Sequence, residues 1–216
     1  MCFRVITALL ISVGMPYYVS MSQGQGKAED HYYMLIFAQQ SEGNIARLAH
    51  TFATFVKTSA GRRIEEVQTI SWLPETLDIR LLRAPERGTN LDLESSLRLA
   101  KALNTSVFMW GPYRIQKALY DRAAAQVARL NSGTVAYKVL DTPFRPNGAS
   151  NCIHAISDLD TENGLLNTGT ARGVEASLMV LKHLQRWIID PSETHEWVSR
   201  ELGVDGIPRE GLAVTQ

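Results

Sequence analysis

The sequence predicts an α+β fold, and three features of the pattern lead there. Period-two alternation of apolar side chains dominates before Pro74, and apolar stripes at helical spacing dominate after Asn90. No internal repeat or interdomain linker interrupts residues 31–216, which read as one α+β domain. An apolar content of 45% and a charged content of 20% describe a chain with a packed core, and exclude wholesale disorder.

The elements follow in order. Tyr32 to Ala38 is a strand-like run of aromatic and branched residues, and Ser41 to Arg47 carries helix or loop chemistry. His50 to Lys57 alternates strictly, Gly61-Arg62-Arg63 reads as a turn, and Glu65 to Trp72 is a further strand stopped by Pro74. These two strands are expected to form an antiparallel hairpin. Asp92 to Leu103 shows a helical stripe of Leu93, Leu97, Ala100 and Leu103, and Val107 to Trp110 is a short strand. Pro112 is expected to open a long helix with Ile115, Leu119, Ala123, Val127 and Leu130 on one face, closed by Asn131 and Gly133. Val135 to Leu140 is another strand. A short helix then begins at Cys152, with Ser150 or Asn151 as its cap. Gly169 to Gly173 breaks the chain before a helix over Val174 to Ile188. Glu193 to Leu202 is the last amphipathic helix, and an irregular tail follows Gly203.

Residues 1–22 stand apart. Arg4, an apolar run from Val5 to Met15, then Pro16 and small residues form the pattern of a secretory signal peptide. Eleven residues make about 16 Å of helix against a hydrocarbon core of ~30 Å. Export to the periplasm or exterior is therefore expected over a membrane span, the alternative being retention by an uncleaved N-terminal anchor. Residues 23–30 read as a flexible leader. Cleavage removes Cys2 and leaves Cys152 as the only cysteine, unable to form an internal disulfide.

Several function classes drop out. Lys+Arg and Asp+Glu are both 22, so there is no basic surplus for nucleic acid. No G-x-S-x-G elbow, Walker loop or G-x-G-x-x-G occurs, and no cofactor is expected. Metal binding is not expected either. Cys152 and His154 have no matching second pair, and His195-Glu196 lacks the second histidine of a zincin. The glycines of Gly169 to Gly173 read first as a turn and second as an anion cradle. Trp110-Gly111-Pro112-Tyr113 looks groove-lining.

What remains is thiol chemistry. A cysteine in the first turn of a helix gains thiolate character from unsatisfied N–H groups, and the same groups can receive an oxyanion. Such a nucleophile needs a base, and His50, opening a well-marked strand, is the best candidate. A third polar group fixes the imidazole tautomer. The neighbouring strand offers Gln68 and Ser71 on opposite faces, of which Gln68 is preferred, and Asp141 is a further alternative.

A histidine early on a strand, a polar residue on the next and a cysteine much later at a helix start reverse the papain order. LAHTFATFV around His50 and SNCIHAISDL around Cys152 resemble the circularly permuted papain-like hydrolases, which include NlpC-type and lecithin:retinol acyltransferase-like enzymes. The resemblance covers about a third of the chain. It implies a small antiparallel sheet packed on the cysteine-bearing helix, here with further helices inserted before and appended after. It also implies amide or ester hydrolysis or acyl transfer by Cys152 and His50, with Gln68 as third member. The substrate would be a peptide, lipid ester or other small molecule. The competing expectation is a non-catalytic binding or structural protein of the same fold, with Cys152 buried and inert.

Overall fold

A computed structural model describes residues 29–59, 62–140 and 150–211. The proposed signal segment, most of the leader, Gly61, Asp141 and the final residues lie outside the described residues. The strands are β1 (His31–Gln40), β2 (His50–Thr58), β3 (Ile64–Ile70), β4 (Trp72–Pro74), β5 (Glu86–Asn90), β6 (Ser106–Ile115) and β7 (Ala136–Tyr137). The helices are α1 (Leu93–Ala102), α2 (Lys117–Asn131), α3 (Cys152–Ser157), α4 (Val174–Leu184) and α5 (Glu196–Glu201). The fold is α+β, with antiparallel pairing throughout its sheets.

The main sheet runs β3-β2-β1-β6. β1 is central, and Tyr32 to Gln39 are all buried, which is why this strand is apolar on both faces. Met34, Ile36 and Ala38 pack with residues of α2, α3 and α4. Leu35 and Phe37 pack with Leu93 of α1 and Val198 of α5. A second small sheet, β4-β5-β7, continues from the end of β3.

Four expectations need correction. Glu65 to Trp72 is not one strand: it breaks at Ser71, whose N–H donates to Asn90 Oδ1 and whose carbonyl accepts from Leu91 N. Those bonds carry the chain from one sheet to the other. Pro112 does not open a helix. β6 runs on to Ile115, with Ile115 itself in the core, and α2 starts at Lys117. A proline fits because β6 is the edge strand and its pairing with β1 shifts between Met34 and Ile36. The open edge is covered by later main chain, with Pro112 O accepting from His195 N and Arg114 O from Ile189 N. Residues 90–133 therefore include a strand of the main sheet rather than forming a helical insertion. Trp110 and Tyr113 are buried in the core, not exposed along a groove. The strand expected over Val135 to Leu140 is only two residues long.

The remaining elements agree with the pattern. α2 ends at Asn131, α4 passes into a 3-10 turn over Gln185–Trp187, and α5 is the last helix. Among the described residues no helix is long and apolar enough to cross a membrane.

Candidate active site

Cys152 is placed by main-chain bonds that begin two residues earlier. Ser150 pairs with the β7 segment: its N–H donates to Ala136 O and its carbonyl accepts from Lys138 N. The same carbonyl accepts from the indole Nε1 of Trp72 at 3.1 Å. Asn151 then caps α3, its Oδ1 accepting from His154 N at 2.9 Å, while its Nδ2 donates to Val139 O at 3.1 Å. This is the role expected of a residue just before a helix. Cys152 is the first residue of α3 and is partly exposed. The N–H groups of Cys152 and Ile153 precede any intrahelical acceptor.

His50 is the first residue of β2 and is 3% exposed. Its ring stacks on Phe52, with centroids 5.7 Å apart. Nε2 lies 2.9 Å from Ser71 Oγ, which lies 2.8 Å from Ser96 Oγ, which in turn lies 2.7 Å from the Asp92 carbonyl. Ser96 Oγ donates to Ser71 Oγ, and Ser71 Oγ, with two lone pairs, is able to accept from His50 Nε2–H as well. In that tautomer the lone pair is on Nδ1, which is buried and forms no hydrogen bond among the described residues. Burial pushes the imidazole down to about 3, so His50 is neutral in the resting protein at neutral pH.

His50 and Cys152 line the same cavity, of about 490 Å³. Thr51, next to His50, bonds Ser177 of α4 at 2.8 Å and so fixes the start of β2 against that helix. Tyr137 also lines the cavity, and its phenol is raised above its ordinary range, chiefly by burial and then by the charges of Cys152 and Glu86. A further wall is the turn from Asn167 to Gly173. Gly173 has φ +57°, and a Cβ there would lie only 2.4 Å from Gln40 Oε1. The bare backbone lets Gln40 accept from Val174 N at 3.0 Å. The glycines here shape a turn whose first helical N–H is already used, rather than an anion cradle.

Of the sequence candidates, Cys152 and His50 both line one cavity, but the imidazole has its contacts with Phe52, Ser71 and Ser96 on the α1/α5 face of the main sheet, whereas α3 packs on the other face. Gln68 does not join them. The register pairs it with Phe55, five residues along β2 from His50, or roughly 17 Å at about 3.4 Å per residue. Its amide donates to Glu66 instead. Ser71 takes the place expected of Gln68, because one step past the Ala53–Ile70 pair it stands diagonally across from His50 on the same face. Ser96 escaped the sequence reading. Its signal is a serine on the buried stripe of α1, three residues after Leu93 and four before Ala100.

His154 is buried beside Asp158, with Nδ1 3.6 Å from Oδ1, and does not line the cavity. Among the described residues no group of three or more His, Cys, Asp or Glu side chains is arranged to hold a metal ion. No protein-family model, curated protein or solved structure matches this chain.

Proposed function

We propose that the protein is a cysteine-dependent hydrolase or acyltransferase acting on an amide or ester carbonyl. In this reading it has the permuted papain-like arrangement and is exported by residues 1–22. The observation that carries it is a cysteine at a helix start that lines one cavity with His50, and the reading requires the imidazole to reach round the end of the sheet to the sulfur.

The chemistry starts from a neutral pair, since burial disfavours an imidazolium. The sulfur attacks the carbonyl carbon while His50 Nδ1 takes the thiol proton. The oxyanion is received by the first-turn N–H of Ile153. α3 is only six residues long, so its dipole is small and the imidazole is the main activator. Collapse breaks the bond to the leaving nitrogen or oxygen, which takes the proton from Nδ1, and leaves a thioester on Cys152. Water or an acceptor hydroxyl or amine then gives its proton to Nδ1 and attacks the thioester. The new acid or acyl product departs, and Nδ1 returns the proton to sulfur. Ser71 and Ser96 hold the ring in the required tautomer throughout.

The rival reading, an inert thiol, draws on the packing of Cys152 against the core cluster. The pH profile of iodoacetamide alkylation separates the two, read at Cys152 by peptide mass mapping because Cys2 is also a thiol. An ordinary thiol of pKa ~8.5 is roughly 0.3% thiolate at pH 6. With Nδ1 as base, native Cys152 keeps reacting at pH 6 at least tenfold faster than in His50→Gln, whose rate tracks the thiolate fraction. Superimposable profiles, or labelling only after unfolding, would overturn the proposal.

A further inference from the structure

The described residues around the cavity carry one formal charge. Arg172 supplies it, on the turn between Asn167 and Gly173. The turn is fixed by Gly169 N to Asn167 Oδ1 at 2.8 Å and Ala171 N to Thr168 O at 2.9 Å. The Arg172 side chain itself is exposed and forms no hydrogen bond or ion pair among the described residues. The rest of the lining is neutral and largely apolar. Ile79 is buried, while Leu81 and Leu140 are 47% and 45% exposed at the rim. At about 490 Å³ the cavity is of a size that suits a small-molecule ligand.

We propose that this cavity takes an acyl compound with an uncharged apolar portion, seated against Ile79, Leu81 and Leu140, and one anionic group, carboxylate or phosphate, held at Arg172. The inference rests on the thiol reading above and adds the substrate class. A free guanidinium beside an otherwise uncharged lining raises the local concentration of anions and disfavours cations. A carboxylate or phosphate also matches its planar fork of donors.

The charge is read without knowing the substrate. Iodoacetate and iodoacetamide deliver the same carbon to sulfur, but only iodoacetate is an anion. The ratio of their rates at Cys152 should fall about three- to tenfold in Arg172→Gln, a Coulomb difference of roughly one unit charge at the cavity mouth. It should be kept in Arg172→Lys and should decline with added salt in the wild type and Arg172→Lys but not in Arg172→Gln. The iodoacetamide rate should not change, which shows that the variant is folded. A second arm measures protection of Cys152 from iodoacetamide by octanoylglycine, octyl phosphate and neutral octanoamide. Stronger protection by octanoylglycine assigns a carboxylate, and by octyl phosphate a phosphate. Equal protection by octanoamide, or a rate ratio indifferent to Arg172→Gln, overturns the inference and leaves the thiol reading standing. Failure of both reagents on native Cys152 overturns the two together.

Discussion

At the scale of single residues, the His50 imidazole is held by hydroxyls rather than by a carboxylate. An aspartate in place of Ser71 would favour an imidazolium; a serine orients the ring while leaving it neutral. Ser71→Ala removes the hydrogen-bond partner of a buried Nε2, a loss of about 1–3 kcal/mol. In the proposed reading the ring is then no longer held with its lone pair on Nδ1 to take the thiol proton. The expected outcome is a drop of about tenfold in Cys152 alkylation at pH 6 together with lower stability in urea. Ser71→Thr should restore both, and Gln68→Ala should alter neither. The helix start at Cys152 and the strand start at His50 were legible because each sits beside a local signal, a cap residue and an alternating strand. The choice between Gln68 and Ser71 was not, since it depends on a register that the side-chain pattern of one strand does not contain.

At the scale of elements, the small sheet sets the position of α3. Trp72 of β4 is fully buried, and its indole lies across Gly88 of β5 while donating to Ser150 O. A Cβ on Gly88 would fall 2.0 Å from Trp72 Cζ2, which no small adjustment relieves. Gly88→Ala should therefore cost about 1–3 kcal/mol by overpacking. Because the displaced indole also holds the residue two before the cysteine, alkylation of native Cys152 at pH 6 should slow as well. Urea denaturation and labelling on the same sample check both effects, and unaltered labelling would mean that Trp72 does not position the helix. The sequence showed β1, β2, α1 and the cap of α3 plainly, because local alternation, stripes and caps coincide there. It hid the second half of β6, where Gly111 and Pro112 signal a break, although an edge strand with shifted pairing accepts them. Only long-range pairing with β1 makes that segment a strand.

At the scale of the whole molecule, a buried neutral histidine couples the fold to pH. The folded His50 titrates at about 3, whereas an unfolded imidazole titrates near 6.5. Between those limits the unfolded chain binds the extra proton. Stability is thus complete above ~6.5 and is lost as pH falls toward 3, by at most about 1.4 kcal/mol for each pH unit from this group. His195, also lowered chiefly by burial, adds in the same direction. Urea unfolding at pH 7, 5.5 and 4.5 should show a steeper decline for the wild type than for His50→Gln; parallel curves would mean that the imidazole is already charged in the native state. The α+β class was legible from patterning alone. The way His50 and Cys152, 102 positions apart in the chain, come to line one cavity follows from packing across two sheets and is not a local property of any segment.

The central position of β1 has a consequence for how the molecule is made. On a ribosome β1 and β2 emerge first, but the other edge of β1 cannot zip until Ile115 is out, and α3 follows later still. In the proposed reading, a nascent or prematurely terminated product ending before residue 150 carries an imidazole with nothing to activate. On that reading reactivity is the last thing translation confers, and it comes only once the cradle that restrains it has been synthesised.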